Sequence, residues 1–346
     1  MENNTLIDAT TENETDPVET TAARWPGAVM IIYSSMCTFA YALCIATIVR
    51  SKDTWKVPSY HIIVHIGITD IVQLALNGGL GGVLSLCQSD FHFTFNKIVG
   101  GIMNSGWITY TMMADLLAWN RCLQTYHPVK SKRVFSMRNT RLMLGACWAY
   151  GLAWLITYNC PDLFFYYIPE EHAWDYGWTP KSRQFATAEL VQDTVHCISM
   201  VLCYSAIFYK LAKQARQITN SQLNTDKKEK LVLLQSMWIC ATTTSVVIWF
   251  FFGGSIITNH WGLFFTTMVW LTCAGSNAFI YIIFNKNIRR QVKELLGFKK
   301  SGVSVADAVS TKHAPTVLST AQVFTVSPRN PHVSNDSPTP RRVINH

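Results

Sequence analysis

The chain has 346 residues, of which only 14% are charged and 12% aromatic, with a formal net charge of +8. Soluble domains carry about 25% charge, so this balance speaks against one. The basic excess is not gathered into one patch: 25 of the 29 Lys and Arg residues fall in alternate segments between apolar runs. Charge spaced in that way reports topology and implies no nucleic-acid partner.

The apolar residues clump into seven runs, roughly 28–49, 61–86, 98–120, 142–159, 186–209, 231–257 and 261–284. A bilayer core of ~30 Å needs about 20 apolar residues at ~1.5 Å rise. Each run therefore predicts a spanning helix, and the chain an all-α membrane protein with a seven-transmembrane helix bundle. Only Arg24, Lys97, Lys181 and Arg183 lie on the basic-poor side. The positive-inside rule then sets a multi-pass plasma-membrane protein with an extracellular N-terminus and a cytoplasmic C-terminus. The expected organisation is an extracellular disordered tail (1–27), the helical domain (28–285), a short amphipathic cytoplasmic helix (286–298) and a disordered cytoplasmic tail (299–346).

Residues 1–23 carry acids and no Lys or Arg, without the basic region and short apolar core of a signal peptide. The first run is thus expected to act as the insertion signal, and Asn3 and Asn13 head glycosylation sequons that matter only outside the cell. In the second run Asp70 is a mid-membrane carboxylate, which should face the bundle and have a partner. Gly78-Gly79 and Gly81-Gly82 follow and should loosen or bend that helix. In the third run Met103, Asn104 and Trp107, at i, i+1 and i+4, share one side and are ligand-pocket candidates, or equally an aromatic packing site. Asp115 reads as a counter-charge or a strut between helices. The run ends in Trp119-Asn120-Arg121-Cys122, with His127-Pro128 beyond. An arginine at that boundary either snorkels or has a task, and the basic loop after it would attract anionic membrane lipids.

The 160–183 loop is rich in Tyr, Trp and Phe, which suits a lid over a cavity or an interfacial belt. Glu189 and Asp193 open the fifth run one turn apart. Two carboxylates there are too costly to place in lipid, so they should point inward, where a cationic or hydrogen-bonding ligand would meet them. An acid/base enzyme is the rival reading, but no nucleophile, metal set or oxyanion device accompanies the pair. Trp249, in Ile248-Trp249-Phe250-Phe251-Phe252, is the sixth run's pocket candidate. The seventh run ends in Asn277-Ala278-Phe279-Ile280-Tyr281, followed by an apolar stripe of Val292, Leu295, Leu296 and Phe298 suited to the inner leaflet. Eight of the ten cysteines lie in or beside apolar runs as packing residues. No metal-ligand spacing appears, and neither metal nor cofactor is expected.

The endings of the third and seventh runs together resemble the rhodopsin-like G-protein-coupled receptors. There the third helix ends in an acid-Arg-aromatic triplet with a proline seven residues on, and the seventh in Asn-Pro-x-x-Tyr. Here Asn120, Cys122 and Ala278 replace the acid, the aromatic and the proline. The Asn-Arg-Cys-Leu form is most similar to the nematode serpentine chemoreceptors of the Srt and Srx type, over about residues 28–297. The resemblance implies a receptor that binds a small-molecule or peptide ligand between helices three, five, six and seven. It would activate a heterotrimeric G protein through a switch of Asn120, Arg121, Tyr204, Asn277 and Tyr281, and it implies an Asp70–Asn277 polar network. Its usual cysteine 25 residues before the arginine is Asn96 here. Cys87 is the nearby candidate, and a Cys87–Cys160 disulfide is expected to pin the loop over the bundle mouth. The sixth run lacks the family's kinking proline, and the family's outward swing of this helix is expected here from the resemblance, with Gly253-Gly254 as the flexible point. Rival readings are an ion channel or transporter, for which no inverted repeat shows, and a membrane enzyme.

Overall fold

The computed structural model describes residues 24–215, 223–256, 260–284 and 286–297. Asn3, Asn13, Phe298 and the 299–346 tail lie outside them. Among the described residues seven long helical spans run Trp25–Arg50, Pro58–Cys87, Phe93–Tyr126, Met137–Tyr158, Pro180–Ala215, Leu223–Ile256 and His260–Phe284. The first, second, fifth and seventh are long and apolar enough on their own to cross a membrane. The third, by contrast, buries Asn96, Asn104 and Asn120 inside the bundle. Its polar groups belong to the interior, which is why its mean hydropathy understates a spanning role.

Prolines and serines set the helix starts. Pro58 and Pro128 sit in first turns, where a missing backbone N–H leaves no bond unmade. Ser136 caps the fourth span by accepting from the Asn139 amide at 3.3 Å. The second span is not uniform: Leu74–Leu80 is π-helical, between α-helical Pro58–Gln73 and Gly81–Cys87. Gly78-Gly79 thus sits in the widened turns, and Gly81-Gly82 where the α-helix resumes. Gly82 lets the helix touch the first span, since a Cβ there would come within 2.7 Å of the Gly27 carbonyl.

An antiparallel hairpin, β1 (Phe165–Ile168) and β2 (Ala173–Tyr176), occupies the 160–183 loop, with Phe165 opposite Tyr176. No strand is expected from the sequence, because two four-residue alternations disappear among so many aromatics. Phe165, Tyr167, Trp174 and Tyr176 are all buried, so the hairpin is a plug set into the bundle. The third span admits it at Gly100, where a Cβ would collide with the Phe165 carbonyl. Past the seventh span a short helix, Lys286–Leu295, buries Ile288 and Val292 and packs on the first and seventh spans.

Candidate functional site

Glu189 and Asp193 face inward, 1% and 0% exposed. Three neutral donors converge on Glu189 Oε2: Asn104 Nδ2 at 2.8 Å, the Tyr158 hydroxyl at 3.1 Å and the hydroxyl of Tyr176, from β2. Trp107 Nε1 donates to Asp193 Oδ2 at 2.8 Å. This cluster unites the third, fourth and fifth spans with the hairpin. Burying a carboxylate costs several kcal/mol unless donors replace water, and Glu189 has them. Asp193 is less well supplied, for its Oδ1 has no partner among the described residues.

A cavity of about 10 Å³, the room of roughly one water, lies beside the cluster. It is lined by Trp107, Glu189, Asp193, Val246, Val247, Phe250, Phe251 and Trp270. Of the sequence candidates, Trp107, Glu189 and Asp193 line it directly, and Asn104 supports it through Glu189. Met103 does not line it. It is fully buried in the hydrophobic core, one turn nearer the hairpin than Trp107. Nor does Trp249, whose ring packs edge-to-face on Phe265 of the seventh span at 4.9 Å between centroids. The sixth span instead presents Val246, Val247, Phe250 and Phe251, an i, i+3/i+4 face that Trp249 falls outside. Tyr158, Tyr176 and Trp270 were not legible beforehand, since their roles depend on which loop strand and which helix face turn inward.

Cys87 and Cys160 are both exposed free thiols, which corrects the expected disulfide. Cys160 Sγ turns back to the Ile156 carbonyl of its own helix at 3.6 Å. Non-covalent ties hold the hairpin. Asn96 bonds both backbone groups of Tyr167, Trp174 Nε1 donates to Asn77 Oδ1 at 3.1 Å, and the Tyr167 hydroxyl meets Ser85 Oγ at 2.6 Å. Thr267 of the seventh span donates to the His172 carbonyl at 2.9 Å. On the loop, burial pushes the Asp175 carboxyl above its ordinary range, opposed by the Tyr176 N–H and by Arg183. Glu171 is raised by burial and then by the Asp175 and Glu170 charges.

Toward the other end, Asp70 is fully buried. Asn277 Nδ2 approaches its Oδ2 at 3.5 Å, the outer limit of a hydrogen bond, while the Tyr41 hydroxyl of the first span donates closely to the same oxygen. Tyr41 is the partner the sequence did not reveal. Arg121 Nη1 donates to Gln124 Oε1 at 3.4 Å; buried Asn120 beside it has an Oδ1 without a partner among the described residues. Tyr281 is buried with its hydroxyl unpartnered among the described residues, within electrostatic reach of Arg121 and Tyr204. Asp115 is a strut: it accepts from Ser199 Oγ at 2.7 Å and faces His196 Nδ1 at 3.3 Å, both on the fifth span. Among the described residues no group of His, Cys, Asp and Glu is arranged to hold a metal.

Crystallised squid rhodopsin has the same fold at a TM-score of 0.63 and 14% identity, over 91% of this chain and 98% of its own. No curated protein matches by sequence. The family model described as serpentine type 7TM GPCR chemoreceptor Srt matches residues 5–305. That match covers most of the chain and sets aside the channel, transporter and enzyme readings. The chain belongs to the Srt family of seven-helix G-protein-coupled chemoreceptors, membrane receptors that are not enzymes.

Proposed function

We propose that the N-terminus lies outside the plasma membrane and the C-terminus in the cytoplasm, and that a small chemosensory ligand enters the cavity under the hairpin. The ligand's unequal affinity for two arrangements of the bundle shifts their populations. A heterotrimeric G protein reads that shift at the opposite end, through Asn120, Arg121, Tyr204, Asn277 and Tyr281. The observation that carries this reading is the position of Trp107. It touches the cavity, stacks on Tyr110 at 5.4 Å, and the Tyr110 hydroxyl meets Thr243 Oγ1 of the sixth span at 3.0 Å. Contact at the cavity thereby reaches the helix whose displacement would open a G-protein surface. The basic loops around Arg121 suit anionic membrane lipids.

Two measurements test it. Glycosidase sensitivity at Asn3 and Asn13, with protection of a C-terminal epitope in intact cells, is the expected topology, and an exposed C-terminus would overturn it. A chemical library read out by G-protein activation should yield agonists that lose potency on Phe250→Ala and Trp107→Phe. Agonists indifferent to both changes would place the ligand elsewhere.

A further inference from the structure

Resting on the ligand-pocket reading above, we infer that the cavity selects a small organic cation, such as a protonated amine. Among the described residues no Lys, Arg or His forms an ion pair with Glu189 or Asp193. Two carboxylates one helical turn apart are held in the interior by neutral donors. The donors are shared unequally. Among the described residues Glu189 Oε2 collects three, while Asp193 receives one, from Trp107, and keeps a fully buried, unpartnered Oδ1 in a residue that lines the cavity. A hydroxyl could satisfy that oxygen, and a proton on one carboxyl could relieve the repulsion between two acids in a low dielectric; an organic cation does both at once.

The remaining walls point the same way. Trp107 and Trp270 meet edge-to-face at 5.3 Å, and Phe250 meets Trp270 edge-to-face at 5.7 Å. Aromatic faces carry negative quadrupole charge and attract ammonium groups, most strongly where water is excluded. Anions are disfavoured by both features. The cavity as it stands admits about one water, so an amine needs Phe250 and Phe251 to move. Both belong to the sixth span, so the step that admits the cation acts on the helix that Tyr110 meets through Thr243.

The test uses the purified full chain in lipid nanodiscs. Butylamine and 2-phenylethylamine are titrated against butanol and 2-phenylethanol, with tryptophan fluorescence and the thermal midpoint as readouts. The amines are expected to bind roughly tenfold or more tightly than the alcohols, the scale of one hydrogen bond to a charged group. Asp193→Asn should erase that preference, whereas Asp115→Asn, which removes a carboxylate outside the cavity, should keep it. Should Asp193→Asn fail to fold, Phe251→Ala serves instead: by widening the cavity it should extend binding to tetraethylammonium. Equal binding of amines and alcohols overturns the cation inference; if that binding still depends on Phe250, the pocket reading survives. Amine preference retained in Asp193→Asn, or no amine binding to the wild type, also overturns it. Amine binding unaffected by Asp193→Asn, Phe250→Ala and Trp107→Phe together overturns the pocket reading as well.

Discussion

Asn96 and Tyr167 exchange two hydrogen bonds: Asn96 Nδ2 donates to the Tyr167 carbonyl at 2.9 Å, and Asn96 Oδ1 accepts from the Tyr167 N–H at 2.8 Å. One amide side chain thus pairs with β1 as a neighbouring strand would. It stands at the position, 25 residues before Arg121, where the resemblance expects a disulfide cysteine. Asn96→Ala leaves both backbone groups buried and unpaired, at about 1–3 kcal/mol for each unsatisfied group. A lowered thermal midpoint and faster hydrogen exchange across 165–176 are expected. Unchanged exchange there would show that the other ties suffice.

Asn120 presents a buried oxygen with no partner among the described residues next to Arg121, which bonds Gln124 instead. A carboxylate at 120 would give the arginine an ionic partner and strengthen the restraint on the signalling-inactive bundle. Asn120→Asp is therefore expected to lower ligand-independent G-protein activation, by about tenfold for each 1.4 kcal/mol gained in that state. Unchanged or higher basal activity would count against this role.

Tyr41 and Asn277 share Asp70 Oδ2, with Tyr41 much the closer donor. Tyr41→Phe should destabilise the bundle by about 1–3 kcal/mol, because buried Asp70 Oδ2 loses its closer donor. Adding Asp70→Asn removes the acid that accepted this bond. The double variant should accordingly lose less than the two single changes summed, as read by thermal unfolding of the purified receptor. Strict additivity would argue that the two residues act separately.

The hairpin loop should tighten in mild acid. Asp175 and Glu171 have folded pKa values raised above the ordinary 3.8 and 4.5, so folding favours their protonated forms. A raised value means stabilisation that is fully present below the unfolded pKa and lost as pH rises through the folded one. Hydrogen exchange of 165–176, corrected for intrinsic rates, should slow as pH falls through that window. Asp175→Asn should flatten the dependence, and a variant that keeps the full effect would assign it to other groups.

The spans were legible because burial in a bilayer is a property of local composition. About twenty apolar residues suffice for a spanning helix, whatever the rest of the chain does. The inward direction of Glu189 and Asp193 was legible for the same reason, since the cost of a carboxylate in lipid does not depend on its neighbours. Tertiary packing alone decided the rest. Trp249 faces the seventh span and Phe250 the cavity, a rotation of one residue that no composition records. Tyr41 finds Asp70 across 29 residues, Asn96 finds Tyr167 across 71, and Tyr176 reaches Glu189 only after a hairpin folds into the bundle. A hydrogen bond is short-ranged and directional, so its partner is set by where two backbones come to rest, whereas the preference of an apolar run for lipid is set residue by residue.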